Sequence, residues 1–138
     1  MNSVRLGIPI AASVCLLFGP TVLRAQDLDP RIAAPRVETY RAIRDAREWQ
    51  NPYLVVHAAS IEVVASGIPN GRITVPVDEL RAVLVRLPVS AWPYGRVVGL
   101  QNASIISGIT DLDPIARNRR AAEEVLEALD ITASWWPA

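Results

Sequence analysis

His57 is the only histidine in the chain, and Glu62 follows a few residues later in a β-branched setting. Two short strands folded as a hairpin would set this base beside this acid. General base catalysis needs such a positioned partner and access to a substrate. The pair would suit a small envelope hydrolase, with Glu62 orienting His57. The favoured reading of the same histidine is a structural, edge-strand residue. Serine chemistry lacks its usual setting: no Gly-x-Ser-x-Gly occurs, and Ser107-Gly108 has no preceding glycine. One imidazole, with no cysteine beyond Cys15, leaves only carboxylates to complete a metal shell, so no metal site is assigned. Asp111 and Asp113 resemble a cation loop, but Asp113 followed by Pro114 reads as a helix start. Gly67, Gly71, Gly95, Gly99 and Gly108 are scattered and form no phosphate cradle. No catalytic residue is assigned and no cofactor is expected.

Aromatic residues offer a different chemistry. Trp92-Pro93-Tyr94-Gly95 sets two rings on a constrained loop, and Trp135-Trp136-Pro137 stands near the last residue. Rings on loops give large, rigid contact areas at small entropic cost, which suits carbohydrate, peptide or protein recognition. Trp92, Tyr94 and Trp136 are therefore the candidate partner-binding residues. With only one phenylalanine in the chain, tryptophan also has to fill the core, and Trp49, Trp92 and Trp135 are expected there. Trp136 points the other way by strand alternation.

Fourteen basic and fourteen acidic groups balance, and every basic group is arginine, which reads as composition bias. A nucleic-acid partner would demand a basic surface, so none is expected. Asn102-Ala103-Ser104 satisfies a glycosylation sequon, relevant only where exported proteins are glycosylated.

Residues 1–25 read as an export signal: Arg5, an uncharged run from Leu6 to Leu23, then Arg24-Ala25 before a polar, acidic segment. Cleavage after Ala25 is the favoured reading. An uncleaved membrane anchor is the second, because the run just reaches the ~18 residues that span a bilayer. A lipid on Cys15 is the third. Removing Arg5 and Arg24 leaves a slightly acidic mature chain without a thiol, so packing has to stabilise it. The location expected is periplasmic or secreted.

The elements that must position these residues follow from pattern. Residues 26–35 hold two prolines and no apolar periodicity, and read as a flexible tether. Residues 36–138 then form a single domain. Val37, Tyr40, Ile43 and Ala46 predict an amphipathic helix over 36–49, ended by Asn51-Pro52. Tyr53–His57 and Ile61–Ala65 read as strands, either a hairpin or one long bent strand. Gly67, Pro69 and Asn70-Gly71 mark a turn, followed by a short extended piece, 72–75. Val77, Leu80, Val83, Leu84 and Leu87 predict a helix that Pro88 stops. Val97, Val98 and Leu100 predict a central strand covered on both faces. Residues 102–113 read as a loop, Ile115 to Leu129 as a helix, and the segment from Ile131 as a closing strand. The fold expected is α+β: a two-layer sandwich with a small mixed sheet of about four strands, some of them parallel, and helices on one face.

Val75-Pro76-Val77-Asp78-Glu79-Leu80 opening a helix, the strand Val97-Val98-Gly99-Leu100, the helix over 119–129 and the strand from Ile131 resemble the extracytoplasmic domain of the ExbD/TolR family. The likeness spans residues 53–136 in element order and apolar pattern. Members of that family couple protons through an acidic residue in a membrane helix, and no Asp or Glu occurs in residues 1–25. The resemblance therefore implies a dimerising domain that binds a partner or the cell wall, with no motor function. Together these readings point to an exported, non-enzymatic interaction module of the cell envelope, its partner an envelope protein or a cell-wall polymer. Membrane contact is expected only with an uncleaved leader, and a homodimer is a possible state.

Overall fold

Val97, Val98, Gly99 and Leu100 are buried in succession, as a strand covered on both faces requires. In the computed structural model, which describes residues 27–103 and 113–135, these four begin a strand flanked on both sides. The elements are α1 (Val37–Tyr40), β1 (Tyr53–Val56), β2 (Ile61–Val64), β3 (Arg72–Val75), α2 (Val77–Arg86), β4 (Val97–Asn102), α3 (Asp113–Ala128) and β5 (Thr132–Trp135). The strands make one five-stranded mixed sheet in the order β3-β2-β1-β4-β5. β1 pairs antiparallel with β2 and parallel with β4; β3 is antiparallel to β2, and β5 parallel to β4. The protein is thus an α+β fold.

Strand periodicity sorts the side chains. Leu54 and Val56 on β1, Ile61 and Val63 on β2, and Val98 and Leu100 on β4 are fully buried and share the main core with Leu80 and Leu84 of α2 and Ile115, Ala122 and Leu126 of α3. The intervening residues Tyr53, Val55, Glu62, Val64 and Gln101 are half-buried. A second cluster holds Trp49, Tyr94 and Val97, with Tyr40, Ile43 and Tyr53 packed against it. Among the described residues no helix is long and apolar enough to cross a membrane.

Three expectations need correction. The short extended piece 72–75 is a full edge strand, so the sheet has five strands and not about four. Each of its residues finds a partner on β2, from Val64↔Arg72 to Ile61↔Val75. The helix expected over 36–49 is a single turn, Val37–Tyr40, and a 3-10 turn, Ala46–Glu48. Its apolar residues recur at steps of three, which drift by ~60° per step around an α-helix and draw no stable stripe. Asp45 also turns its carboxylate onto the Arg47 N–H, which starts the 3-10 turn. The β1–β2 ambiguity resolves as a hairpin, closed by the His57 N–H donating to the Ser60 carbonyl at 2.9 Å.

The third correction concerns residues 26–35. From Leu28 onwards this segment packs: Ile32 is 3% exposed within the main core, and Leu28 lies against it. The Arg96 N–H donates to the Ala33 carbonyl and the Arg36 N–H to the Tyr94 carbonyl, both at 2.9 Å. Beneath this strap, Gly95 has φ +86°, and a Cβ there would sit 2.3 Å from the Ala34 carbonyl oxygen. A glycine is required on both counts.

Candidate functional site

The loop Trp92–Gly95 does not present its rings to solvent. Trp92 is 3% exposed inside the main core, and Tyr94 is 8% exposed in the second cluster. Trp92 and Tyr94 therefore provide no aromatic contact surface: a 3-10 turn, Val89–Ala91, and the overlying strap direct them inward. Trp49 fills the second cluster, in line with its core reading. Trp136, residues 104–112 with Ser107 and Asp111, and the leader lie outside the described residues, as does the side chain of Trp135.

Tyr94 acts as a support. Its ring centroid lies 5.1 Å from that of Trp49 and 5.9 Å from that of Tyr40, and Tyr40 meets Trp49 edge-on at 5.5 Å. The Tyr94 hydroxyl accepts from the Gln50 N–H at 3.2 Å and donates to the Glu48 carbonyl at 3.3 Å. Asn51, 3% exposed, accepts from the Tyr94 N–H and donates to the carbonyls of Gly95 and Val97. The Trp49 indole N–H donates to the Pro52 carbonyl at 3.1 Å. Residues 48–52 are thereby tied to the start of β4. This segment follows directly from Asn51-Pro52: a residue before proline is extended, which leaves the Asn51 amide free to bridge two loops.

The tied segment forms one wall of an open cleft of about 590 Å³. Gln50 and Ala46 stand on that wall, Ser90 and Pro93 on the loop before β4, and Ser66 and Gly71 on the β2–β3 turn. Its floor is made by Tyr53 and Val64, opposite each other on β1 and β2. The Tyr53 ring lies over Gly99, where a Cβ would come within 2.5 Å of the ring carbon Cδ2. The Tyr53 hydroxyl bonds Gln101 Oε1, and partial burial raises the phenol pKa above its usual 10.0. The volume falls in the ~300–1,000 Å³ range of small-molecule sites. Among the described residues no Asp, Glu, Arg, His or Cys lines the cleft, and its one titratable group is the Tyr53 phenol. Sequence reading missed Gln50, Ser66 and Ser90, because neutral polar residues on turns carry no spacing signal of their own.

His57 and Glu62 do come together across the β1–β2 hairpin, but outside this cleft. His57 Nε2 lies 3.9 Å from Glu62 Oε2, beyond hydrogen-bond reach, while Arg72 Nη1 sits 3.3 Å from Glu62 Oε1. The imidazole side chain is 42% exposed. The Asn118 amide donates to the carbonyls of His57 and Ser60, fixing the hairpin turn to α3. This is an open ion cluster on a sheet face, with Glu62 shared between two cations when His57 is protonated. Asn102 of the sequon ends β4, and its Oδ1 accepts from Arg119. Among the described residues no group of three or more His, Cys, Asp or Glu could hold a metal ion. Comparison of the chain with protein-family models, curated proteins and solved structures finds no match.

Proposed function

We propose that the chain is an exported, non-enzymatic binding module of the cell envelope, and that the cleft over Tyr53 and Val64 is its contact site. The carrying observation is the cleft's neutrality. Among the described residues the lining of this ligand-sized site holds no carboxylate, arginine, histidine or cysteine, and its one phenol, Tyr53, is bonded to Gln101, so no free general acid or base faces a ligand. Ser66 and Ser90 stand there without a residue to activate them, which suits recognition and not turnover. The partner is an envelope protein or a cell-wall polymer, and export rests on the charge pattern of residues 1–25.

Co-sedimentation with purified, insoluble cell-wall sacculi tests this reading, with the double variant Gln50→Arg/Ser90→Arg as the blocked cleft. Retention of the native protein and its loss in the folded double variant is the result expected. Sacculi that fail to retain the protein, or retain both forms alike, overturn the cell-wall polymer as the partner of the cleft. Hydrolysis of wall material that vanishes in His57→Ala overturns the non-enzymatic reading and would instead favour the small envelope hydrolase built on His57 and Glu62.

A further inference from the structure

Three polar side chains on the rim of the cleft have no hydrogen-bond partner among the described residues. They are Gln50, Ser66 and Ser90, all exposed and carried by three different loops. Between them they offer an amide donor pair, a carbonyl acceptor and two hydroxyls that both donate and accept. Below them lies the half-buried, mainly apolar floor of Tyr53 and Val64. We propose that the ligand of this cleft is the neutral pyranose ring of a saccharide chain, an inference that rests on reading the cleft as the contact site.

A pyranose has an apolar C–H face and a rim of hydroxyls, which complements an aromatic and aliphatic floor beneath neutral hydrogen-bonding groups. Charge selects against the alternatives. A carboxylate, phosphate or ammonium group entering the cleft would give up hydration without meeting an opposite charge. Two flanking arginines are already engaged: Arg47 pairs with Asp45 at 2.9 Å, and Arg72 with Glu62 at 3.3 Å. An extended peptide would bind by adding a strand at a sheet edge. The floor strands β1 and β2 are interior, each paired on both sides, so no free backbone edge faces the cleft. The opening to solvent leaves room for a chain longer than one ring to continue outward.

An NMR titration of the full-length mature protein, following backbone amides, tests the class of ligand. The probes are triacetylchitotriose, which is neutral; its deacetylated, cationic counterpart; trigalacturonate, which is anionic; and tetraglycine. The neutral trimer alone is expected to give saturable shifts, confined to residues around Gln50, Ser66, Gly71 and Ser90. Gln50→Ala and Ser90→Ala, with otherwise unchanged spectra, are each expected to weaken binding about fivefold, the cost of one neutral hydrogen bond. Absence of saturable shifts with the neutral trimer overturns the proposal, as does equal binding of a charged trimer or preference for tetraglycine. Sacculi that retain the protein while the neutral trimer stays silent refute the sugar assignment and leave the wider reading standing. Binding of the trimer without retention by sacculi keeps the sugar assignment and removes the cell wall as the source of the saccharide.

Discussion

The Asn51 carboxamide holds Tyr94 by its backbone: Oδ1 accepts from the Tyr94 N–H at 2.8 Å while Nδ2 reaches the carbonyls of Gly95 at 2.8 Å and Val97 at 2.7 Å. Asn51→Ala would strand these three backbone groups in a buried setting. A loss of about 2–4 kcal/mol is expected, read as a lower urea midpoint with an unchanged slope. Because Tyr94 steadies Gln50, saccharide affinity should fall in the fraction that stays folded.

Gly99 and Tyr53 interlock across the parallel β1–β4 pair. Gly99→Ala drives a methyl group into the Tyr53 ring, and a destabilisation of about 1–3 kcal/mol is expected. In a Tyr53→Ala background the same substitution should cost much less. A double-mutant cycle in urea measures the coupling, and additive effects would refute the contact.

Ile32 plugs the main core from the strap. Ile32→Ala should cost about 2–5 kcal/mol, as for a core residue elsewhere. Removing the chain up to residue 35 should cost more, since the bond from the Arg96 N–H to the Ala33 carbonyl and the packing of Leu28 leave with it. A truly flexible tether would show neither effect in thermal unfolding.

Trp92→Ala is expected to cost about 3–5 kcal/mol by leaving a cavity in the main core. Any loss of partner binding in this variant should track loss of near-UV circular dichroism. Binding lost from a fully folded Trp92→Ala protein would contradict the burial of the ring.

Burial holds the Tyr53 phenol above 10.0, so the folded chain keeps that proton to a higher pH than the unfolded chain. The resulting stability is complete below pH 10 and is lost as pH rises from there through the folded value. Tyr40 shifts the same way, first through burial and then through Glu38. A spectrophotometric titration should show tyrosine ionisation delayed past the usual range, with part of the delay absent in Tyr53→Phe.

Much of the framework could be read from pattern because its elements bury one continuous stripe. Leu80, Leu84, Ile115, Ala122 and Leu126 recur at helical spacing and are all buried, and the unbroken run Val97–Leu100 marked an interior strand. The strap escaped notice because a single buried Ile32 among prolines has no period, and its partners, Tyr94 to Arg96, are remote in sequence. The Arg36–Trp49 segment misled because apolar spacing by three resembles a helix locally, while Tyr40 and Ile43 answer to Trp49 and Tyr94. The cleft was invisible for the same reason: its three polar side chains come from separate loops that only the finished sheet gathers.

The strap has a consequence for the order in which the chain can acquire its shape. Its anchor points, such as the Arg36 guanidinium bond to the Pro93 carbonyl, join residues 57 positions apart, and β1 cannot find its parallel neighbour until β4 exists. A polypeptide emerging from its first residue onward must therefore hold its opening third in waiting, with Ile32 uncovered, until the later half arrives. Such long-range closure predicts slow folding. It also makes the waiting interval the time at which a chaperone would have most to protect.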